Sequence, residues 1–389
     1  MRKNKNTDEK NVNAVRQGKP RYIMIGGFLG AGKTTAVGKL AKWLKERGTR
    51  VGLITNDQGR NLVDTTILRS QGFATEEIPG GCFCCRFNSL VDASKLLMQN
   101  IHPDVFIAEP VGSCTDLVAT VTYPLRGLYS DKFIVAPVSV LVDPIRALRV
   151  FGLEKGNTFS EKVLYIYLKQ IEEADIVVIS KCDLLDAKRL VALREGIAAK
   201  FPGKEILSVS TKEGTNLEEW FNRITSAEQV ARMAMQVDYQ LYAEGEALLG
   251  WLNCTVDVRA QKSFNADEFL RQLAEAIQKR LKDYNAEVVH LKMTFSPNVN
   301  QTNNIATVNL VRNDIVPELS YYLKEPVMGG QLIINLRAET APDVLGTAVR
   351  DGLTMAAEKF PTLKSTLNHL EHFRPGKPMP THRIEKLTN

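Results

Sequence analysis

Gly27-Phe28-Leu29-Gly30-Ala31-Gly32-Lys33-Thr34, entered from the apolar run Tyr22–Ile25 and followed by the helical stretch Thr34–Arg47, decides how the rest of the chain is read. The octet fits G-x-x-x-x-G-K-[ST], with a strand before it and a helix after it, as a phosphate-binding loop requires. Gly27, Gly30 and Gly32 let the backbone curl so that successive N–H groups, that of Ala31 among them, point at phosphate oxygens. The helix beginning near Lys33 adds the positive end of its dipole. Lys33 brings a full cation to the β- and γ-phosphates and is expected to be catalytic. Thr34 offers its hydroxyl to magnesium, with Thr35 beside it as a further phosphate contact.

Working outward, the runs Val51–Thr55, Val105–Ala108, Phe133–Val142, Ile176–Ile179 and Ile206–Val209 read with Tyr22–Ile25 as strands buried on both faces. Helical stretches such as Ala187–Lys200 lie between them. The alternation predicts an α/β fold, a P-loop NTPase with a mostly parallel sheet and helices on both faces. Beyond it, the strands Cys254–Ala260, Val288–Phe295, Ile305–Val311 and Gln331–Ala338 and the helices Ala266–Asp283 and Val344–Lys359 predict a smaller α+β domain. The expected divisions are a disordered basic tail at 1–20, the nucleotide domain at 21–225 and a helical linker at 226–250. The α+β domain follows at 251–361, and a solvated tail at 362–389.

The bulk of the chain excludes several classes. Of 389 residues, 44% are hydrophobic and 24% charged, an ordinary globular balance. The net charge of +6 is concentrated at the start, where Arg2, Lys3, Lys5, Lys10, Arg16, Lys19 and Arg21 face only Asp8 and Glu9. The remainder is close to neutral, so no nucleic-acid partner is expected. The N-terminus lacks the apolar stretch of a secretory signal. The longest apolar run, Phe133–Val142, is about half a membrane span, so no membrane partner is expected. Three of six cysteines fall within four residues, which suits thiolate chemistry in the reducing cytoplasm better than disulfides.

Three further segments carry chemistry. Strand Ile176–Ile179 ends in Ser180-Lys181-Cys182-Asp183, where the Asp183 carboxylate can accept from the ring N–H and amine of guanine, groups adenine lacks. Ser210, at the end of the next strand, can offer a backbone amide to the base. Strand Val105–Ala108 delivers Glu109-Pro110-Val111-Gly112: Glu109 can hold a magnesium-bound or attacking water, and the Gly112 amide can approach the γ-phosphate. Strand Val51–Thr55 delivers Asp57, a candidate for the outer shell of magnesium or for a transferred metal. In Gly80-Gly81-Cys82-Phe83-Cys84-Cys85, thiolates at 82, 84 and 85 can fill three corners of a tetrahedral zinc or cobalt site. The alternatives are a set of small buried cysteines and, third, a strained Cys84–Cys85 bridge. Asp57, Cys114 and water are all candidates for the fourth corner.

GGFLGAGKTT, the GCFCC at 81–85, Glu-x-x-Gly at 109–112 and QIEEADIVVISKCDLL at 170–185 stand in the order found in the CobW-type GTPases, which this chain resembles over residues 21–216. Leu248-Leu249-Gly250-Trp251 is similar to the entry to that family's C-terminal domain. The resemblance implies a GTP- and magnesium-dependent metal carrier, with zinc or cobalt as cargo held by Cys82, Cys84 and Cys85. It places the switch acid on Asp57. It also implies a client metalloprotein, for which a corrinoid protein or methyltransferase is one candidate, and a homodimer is one expected assembly. The chain departs from the family pattern at Ser180, where asparagine is usual, and at Pro110. His369 and His372, at i and i+3 with His382 beyond, are expected as solvated tail residues. Two rival readings use the same loop: a partner-binding switch without metal, and a small-molecule kinase.

Overall fold

The computed structural model describes residues 18–58, 63–297 and 304–387. Strand β1 (Arg21–Gly27) is the centre of a parallel sheet because its residues from Tyr22 onward are buried on both faces. Around it lie β2 (Val51–Asn56), β3 (Ala74–Ile78), β4 (Val105–Glu109), β5 (Ile134–Val135), β6 (Ser139–Val142), β7 (Ile176–Ile179) and β8 (Glu205–Ser208). The order is β3-β2-β4-β1-β6-β7-β8, with β5 also on β1. Every pairing is parallel. Apolar cores lie on both faces of this sheet under the crossover helices, as a parallel sheet requires.

Two departures from the expected strands have simple causes. Phe133–Val142 is divided into β5 and β6, both paired to β1, and Pro137, which has no N–H to donate, lies between them. Strand β3 escaped the apolar pattern because Ala74-Thr75-Glu76-Glu77-Ile78 is an edge strand, where charged side chains are compatible with pairing on one side only.

A second, antiparallel sheet follows. It contains β9 (Leu249–Phe264), β10 (Glu287–Ser296), β11 (Ala306–Leu310), β12 (Glu318–Tyr321), β13 (Val327–Glu339) and β14 (Leu363–Phe373), in the order β12-β11-β10-β13-β9-β14. Helices Ala266–Asp283 and Pro342–Lys359 cover one face. Period-two alternation sends Leu252, Cys254, Leu291, Met293, Ile334 and Leu336 to that helical face. The intervening Asn253, Lys292, Asn335 and Arg337 are buried too, and they face the first domain.

Three expectations about connecting segments are corrected. The stretch at 226–250 is not helical throughout: residues 227–238 have no regular structure, and a helix occupies only Tyr239–Leu248. The stretch at 362–389 is not a solvated tail. Leu363–Phe373 pairs along β9 as the outermost strand, and the chain then runs back onto the first domain. His369 and His372 therefore lie on a strand, where i and i+3 side chains point to opposite faces, and pair instead with Glu371 and Asp343. The expected basic tail lies outside the described residues apart from its last three positions. Among the described residues no helix is long and apolar enough to cross a membrane.

Candidate functional site

At the end of β1 the chain turns through Gly27, whose φ of 129° and contact with β6 both demand glycine: a Cβ there would meet the Leu141 carbonyl oxygen at 2.4 Å. The loop then enters the helix Lys33–Glu46. Gly30 and Gly32 also have positive φ. Lys33 is buried, and its Nζ donates to the Gly27 carbonyl oxygen at 2.9 Å. Burial lowers its pKa, with the Lys292 ammonium adding to the shift, while Glu109 and Asp64 oppose it. The Thr34 hydroxyl lies 2.6 Å from Asp64 Oδ1 and 2.9 Å from Glu109 Oε1, its single proton serving one acceptor at a time. Lys292 of β10 reaches into the same cluster. Its ammonium is paired with Asp64 and lies 3.3 Å from Thr34 Oγ1.

The loop sequence points to Thr34, and β4 brings Glu109 to it as expected. Asp64 and Lys292 were missed. No motif marks an acid in the first turn of the helix Val63–Ser70, nor a lysine some 260 residues away. Asp57, conversely, does not join this cluster: both its carboxylate oxygens accept from Arg337 of β13, at 3.2 and 3.1 Å. The electrostatics divide the two acids. Burial opposes the charge on Asp64, but Lys292 and the Thr34 hydroxyl hold it well below the usual carboxylate range. Burial and the charge on Asp64 push Glu109 up to about 7. Glu109 Oε2 is buried without a hydrogen-bond partner among the described residues.

The base-recognition segment is assembled in part. Lys181, in the left-handed region, lays its side chain along the loop and donates to Gly30 O and to Asp143, each at 2.9 Å. Asp183 Oδ1 is buried and unpaired, as a carboxylate awaiting two donors from a base would be. Ser180 is turned away: its hydroxyl donates to the Val142 carbonyl at 3.0 Å. Ser210 is fully buried and its hydroxyl receives Glu213 N–H. Asp143 was not anticipated. It caps the helix Pro144–Val150 by accepting from Arg146 N–H while anchoring Lys181, and Lys181 and Arg146 hold it at about 2 against burial.

The cysteines converge. Cys82 Sγ lies 2.7 Å from Cys84 Sγ and 3.3 Å from Cys85 Sγ, and Cys84 and Cys85 are 3.7 Å apart. Cys114 joins them, its Sγ and those of Cys82 and Cys84 lying within 4.8 Å of one another. None is in a disulfide. Hydrogen bonds with the thiols of Cys114, Cys84 and Cys85 hold Cys82 well below the ordinary thiol range. Its neighbours are pushed up, Cys84 through its bond with Cys114, Cys85 to about 11 beside Cys82, and Cys114 by burial. Soft thiol donors gathered in this way could hold a thiophilic cation. Met379 N–H donates to Cys85 Sγ at 3.2 Å, and Thr381 N–H to the Cys84 carbonyl at 2.8 Å, so the returning C-terminal segment lies over the loop.

A P-loop beside a convergent thiol cluster defines a nucleotide-binding protein with a soft-metal site. Residues 21–208 match the nucleotide-binding domain of the CobW/HypB/UreG family and form a CobW-type P-loop domain. The chain is 31% identical over 220 residues to the zinc chaperone CobW of a Sinorhizobium species, covering 51% of this chain and 60% of that protein. It is 31% identical over 168 residues to the zinc chaperone YeiR of Escherichia coli (strain K12), covering 42% and 47%. The chain thus spans about half the length of these curated relatives. The hydrogenase maturation factor HypB from Archaeoglobus fulgidus superposes with a TM-score of 0.37 at 20% identity, over 55% of this chain and 93% of that one.

Proposed function

We propose that this chain is a GTP-hydrolysing metallochaperone that holds zinc or cobalt on its cysteine loop and passes it to a client metalloprotein in the cytoplasm. The observation carrying the reading is the convergence of Cys82, Cys84 and Cys85 beside a P-loop whose Thr34 is reached by Glu109. The unpaired Asp183 oxygen supports guanine as the base. Gly27, Gly30, Ala31 and Gly32 supply backbone to the phosphates, and Lys33, Thr34 and Thr35 follow at the helix start. Magnesium would be held through Thr34 and would neutralise phosphate charge. Glu109 positions the attacking water through its free oxygen, and the Gly112 amide faces the γ-phosphate. Asp57, tied to Arg337, relays the state of its loop to the second domain. The zinc-chaperone relatives favour zinc as cargo; a corrinoid-linked client and a homodimer are finer readings of the same proposal.

GTP tightens the metal site and hydrolysis loosens it. Coupling of this kind exists only if the two nucleotide states differ in metal affinity. Zinc dissociation constants measured with a non-hydrolysable GTP analogue and with GDP test it: tighter binding with the analogue is expected, and equal values remove the mechanism.

A further inference from the structure

The loop carrying Cys82, Cys84 and Cys85 gives three sulfurs, and a soft cation bound in four-coordinate fashion needs a fourth donor. Asp57 does not supply it, since both its oxygens are engaged by Arg337. Cys114 is buried at 1% exposure, and its sulfur lies within 4.8 Å of those of Cys82 and Cys84. Zinc–sulfur bonds of about 2.3 Å put the sulfurs of a tetrahedron about 3.8 Å apart. The separations of 2.7, 3.3 and 3.7 Å within the loop are shorter than that, so those three thiols would spread around the ion while Cys114, grouped with Cys82 and Cys84, closes toward Cys85.

The position of Cys114 in the chain matters as much as its sulfur. It lies five residues beyond Glu109, the acid whose Oε1 is 2.9 Å from the Thr34 hydroxyl. Between them, Gly112 is pressed so closely on the phosphate loop that a Cβ would meet Leu29 N at 3.0 Å and Leu29 Cγ at 2.7 Å. The Gln170 amide donates to the carbonyls of both Gly112 and Cys114, at 3.0 and 2.7 Å, clamping the segment so that its parts move together. Cys114 N–H closes a turn on the Val111 carbonyl at 3.0 Å. A displacement of Glu109 or Leu29 on nucleotide exchange would have this clamped segment as its path to one sulfur of the cluster. The other three sit on a separate loop, anchored by the Asn56 amide at Gly81 O and by Met379 and Thr381.

We propose that Cys114 is the fourth ligand of a four-thiolate zinc or cobalt site, and that it is the movable corner through which the bound nucleotide sets metal affinity. The proposal rests on the metal-carrier reading given above. With Cys114 engaged the site is closed; with it withdrawn, one coordination position opens to a thiolate or imidazole of the receiving protein. Closed sites retain their ion and open ones exchange it, the difference a carrier needs.

The test uses the full chain, purified without oxygen, in four forms: unaltered, Cys114→Ser, Cys114→Ala and Cys82→Ser. Cobalt(II) is added and the thiolate-to-cobalt absorption recorded. Zinc affinity is then measured by chelator competition with GDP and with a non-hydrolysable GTP analogue. The unaltered chain is expected to show a tetrahedral cobalt spectrum. Both Cys114 variants should lose about a quarter of the charge-transfer intensity, as one of four thiolates is removed. They should bind zinc on the order of 10–100-fold more weakly and with the same affinity in either nucleotide state. GTP affinity and melting temperature report folding, and alanine serves where a buried serine hydroxyl perturbs the core. Unchanged cobalt absorption in both Cys114 variants overturns the ligand assignment. A nucleotide-dependent gap that survives their loss overturns the switching role. Loss of metal in Cys82→Ser with indifferent Cys114 variants sinks this inference but leaves the carrier reading standing; an unaltered chain that takes no metal sinks both.

Discussion

At the scale of single residues, the molecule places buried acceptors where ligands would supply donors. Asp183 Oδ1 and Glu109 Oε2 are both buried and unpaired, a costly condition in a protein interior unless something arrives to pair them. Guanine offers Asp183 two N–H donors, so Asp183→Ala is expected to raise the GTP dissociation constant by about 100-fold or more while leaving the melting temperature within a degree or two. Isothermal titration with GTP and ATP measures both affinities. Equal weakening for the two nucleotides would show that Asp183 does not read the base. Ser180 donates its hydroxyl to the Val142 carbonyl and holds the β7 end against β6. Lys292 makes the opposite case. Its ammonium touches Thr34 and Asp64, oxygens that a phosphate-bound magnesium ion would claim. Lys292→Ala is expected to bind GTP more tightly at limiting magnesium. It should also melt at lower temperature without nucleotide, because the partly buried Asp64 loses the ammonium that offsets its charge. Weaker GTP binding in that titration would place the ammonium on the phosphates instead.

At the scale of elements, the helix Glu161–Glu173 ends in an acid that the fold keeps neutral. Burial, reinforced by Asp116, raises Glu173 to about 8, while Val118 N–H and the Thr115 hydroxyl bond to its two oxygens. Its folded pKa exceeds its unfolded value near 4.5, so its contribution to stability is fully present below about pH 4.5 and is lost as pH rises through about 8. The melting temperature should therefore decline by several degrees between about pH 5 and 8.5. Glu173→Gln, permanently neutral, should flatten that decline; a profile as steep as that of the unaltered chain would assign the slope to other groups. Strand β14 poses the complementary question at a sheet edge. It covers one side of β9 from Trp251 to Ala260, which would otherwise expose a row of unpaired backbone groups.

At the scale of the whole molecule, the second sheet is a wall of the nucleotide site. Lys292 reaches Thr34, Arg337 reaches Asp57, Asn335 accepts Val63 N–H and Arg312 faces Asp143. Polar side chains that would face water on an isolated sheet are here buried against the loops that respond to phosphate. After β14 the chain returns across the first domain: Arg383 pairs with Asp116, His382 packs edge-on against Phe87 at 5.1 Å, and Met379 and Thr381 bond at the cysteine loop. Cys85 is thus only partly exposed. A chain truncated after Phe373 keeps both sheets but loses this cover, and is expected to react several-fold faster with a thiol reagent at Cys85, read by mass spectrometry of the labelled peptide. An unchanged rate would show that the returning segment does not limit access.

The sequence by itself determined the local chemistry: the phosphate loop, the parallel strands around it and the trio of thiols at 82, 84 and 85, with Asp183 named as the candidate reader of the base. Each depends on neighbours a few residues apart, and glycine positions, apolar runs and cysteine spacing report such neighbourhoods directly. Only the tertiary structure decided what completes those sites. Asp64, Lys292 and Arg337 carry no distinguishing pattern, because a charge becomes a partner through burial opposite another charge, and β10 and β13 are brought to the loops by sheet packing alone. Asp57 was assigned to the cation by its place after β2, and it lies instead in an ion pair that no local signal encodes. The same holds for the last 28 residues, whose polar, histidine-bearing composition reads as solvated chain. Residues 362–387 are held as strand and cover because β9 needs a neighbour and the thiol loop leaves backbone groups to be paired.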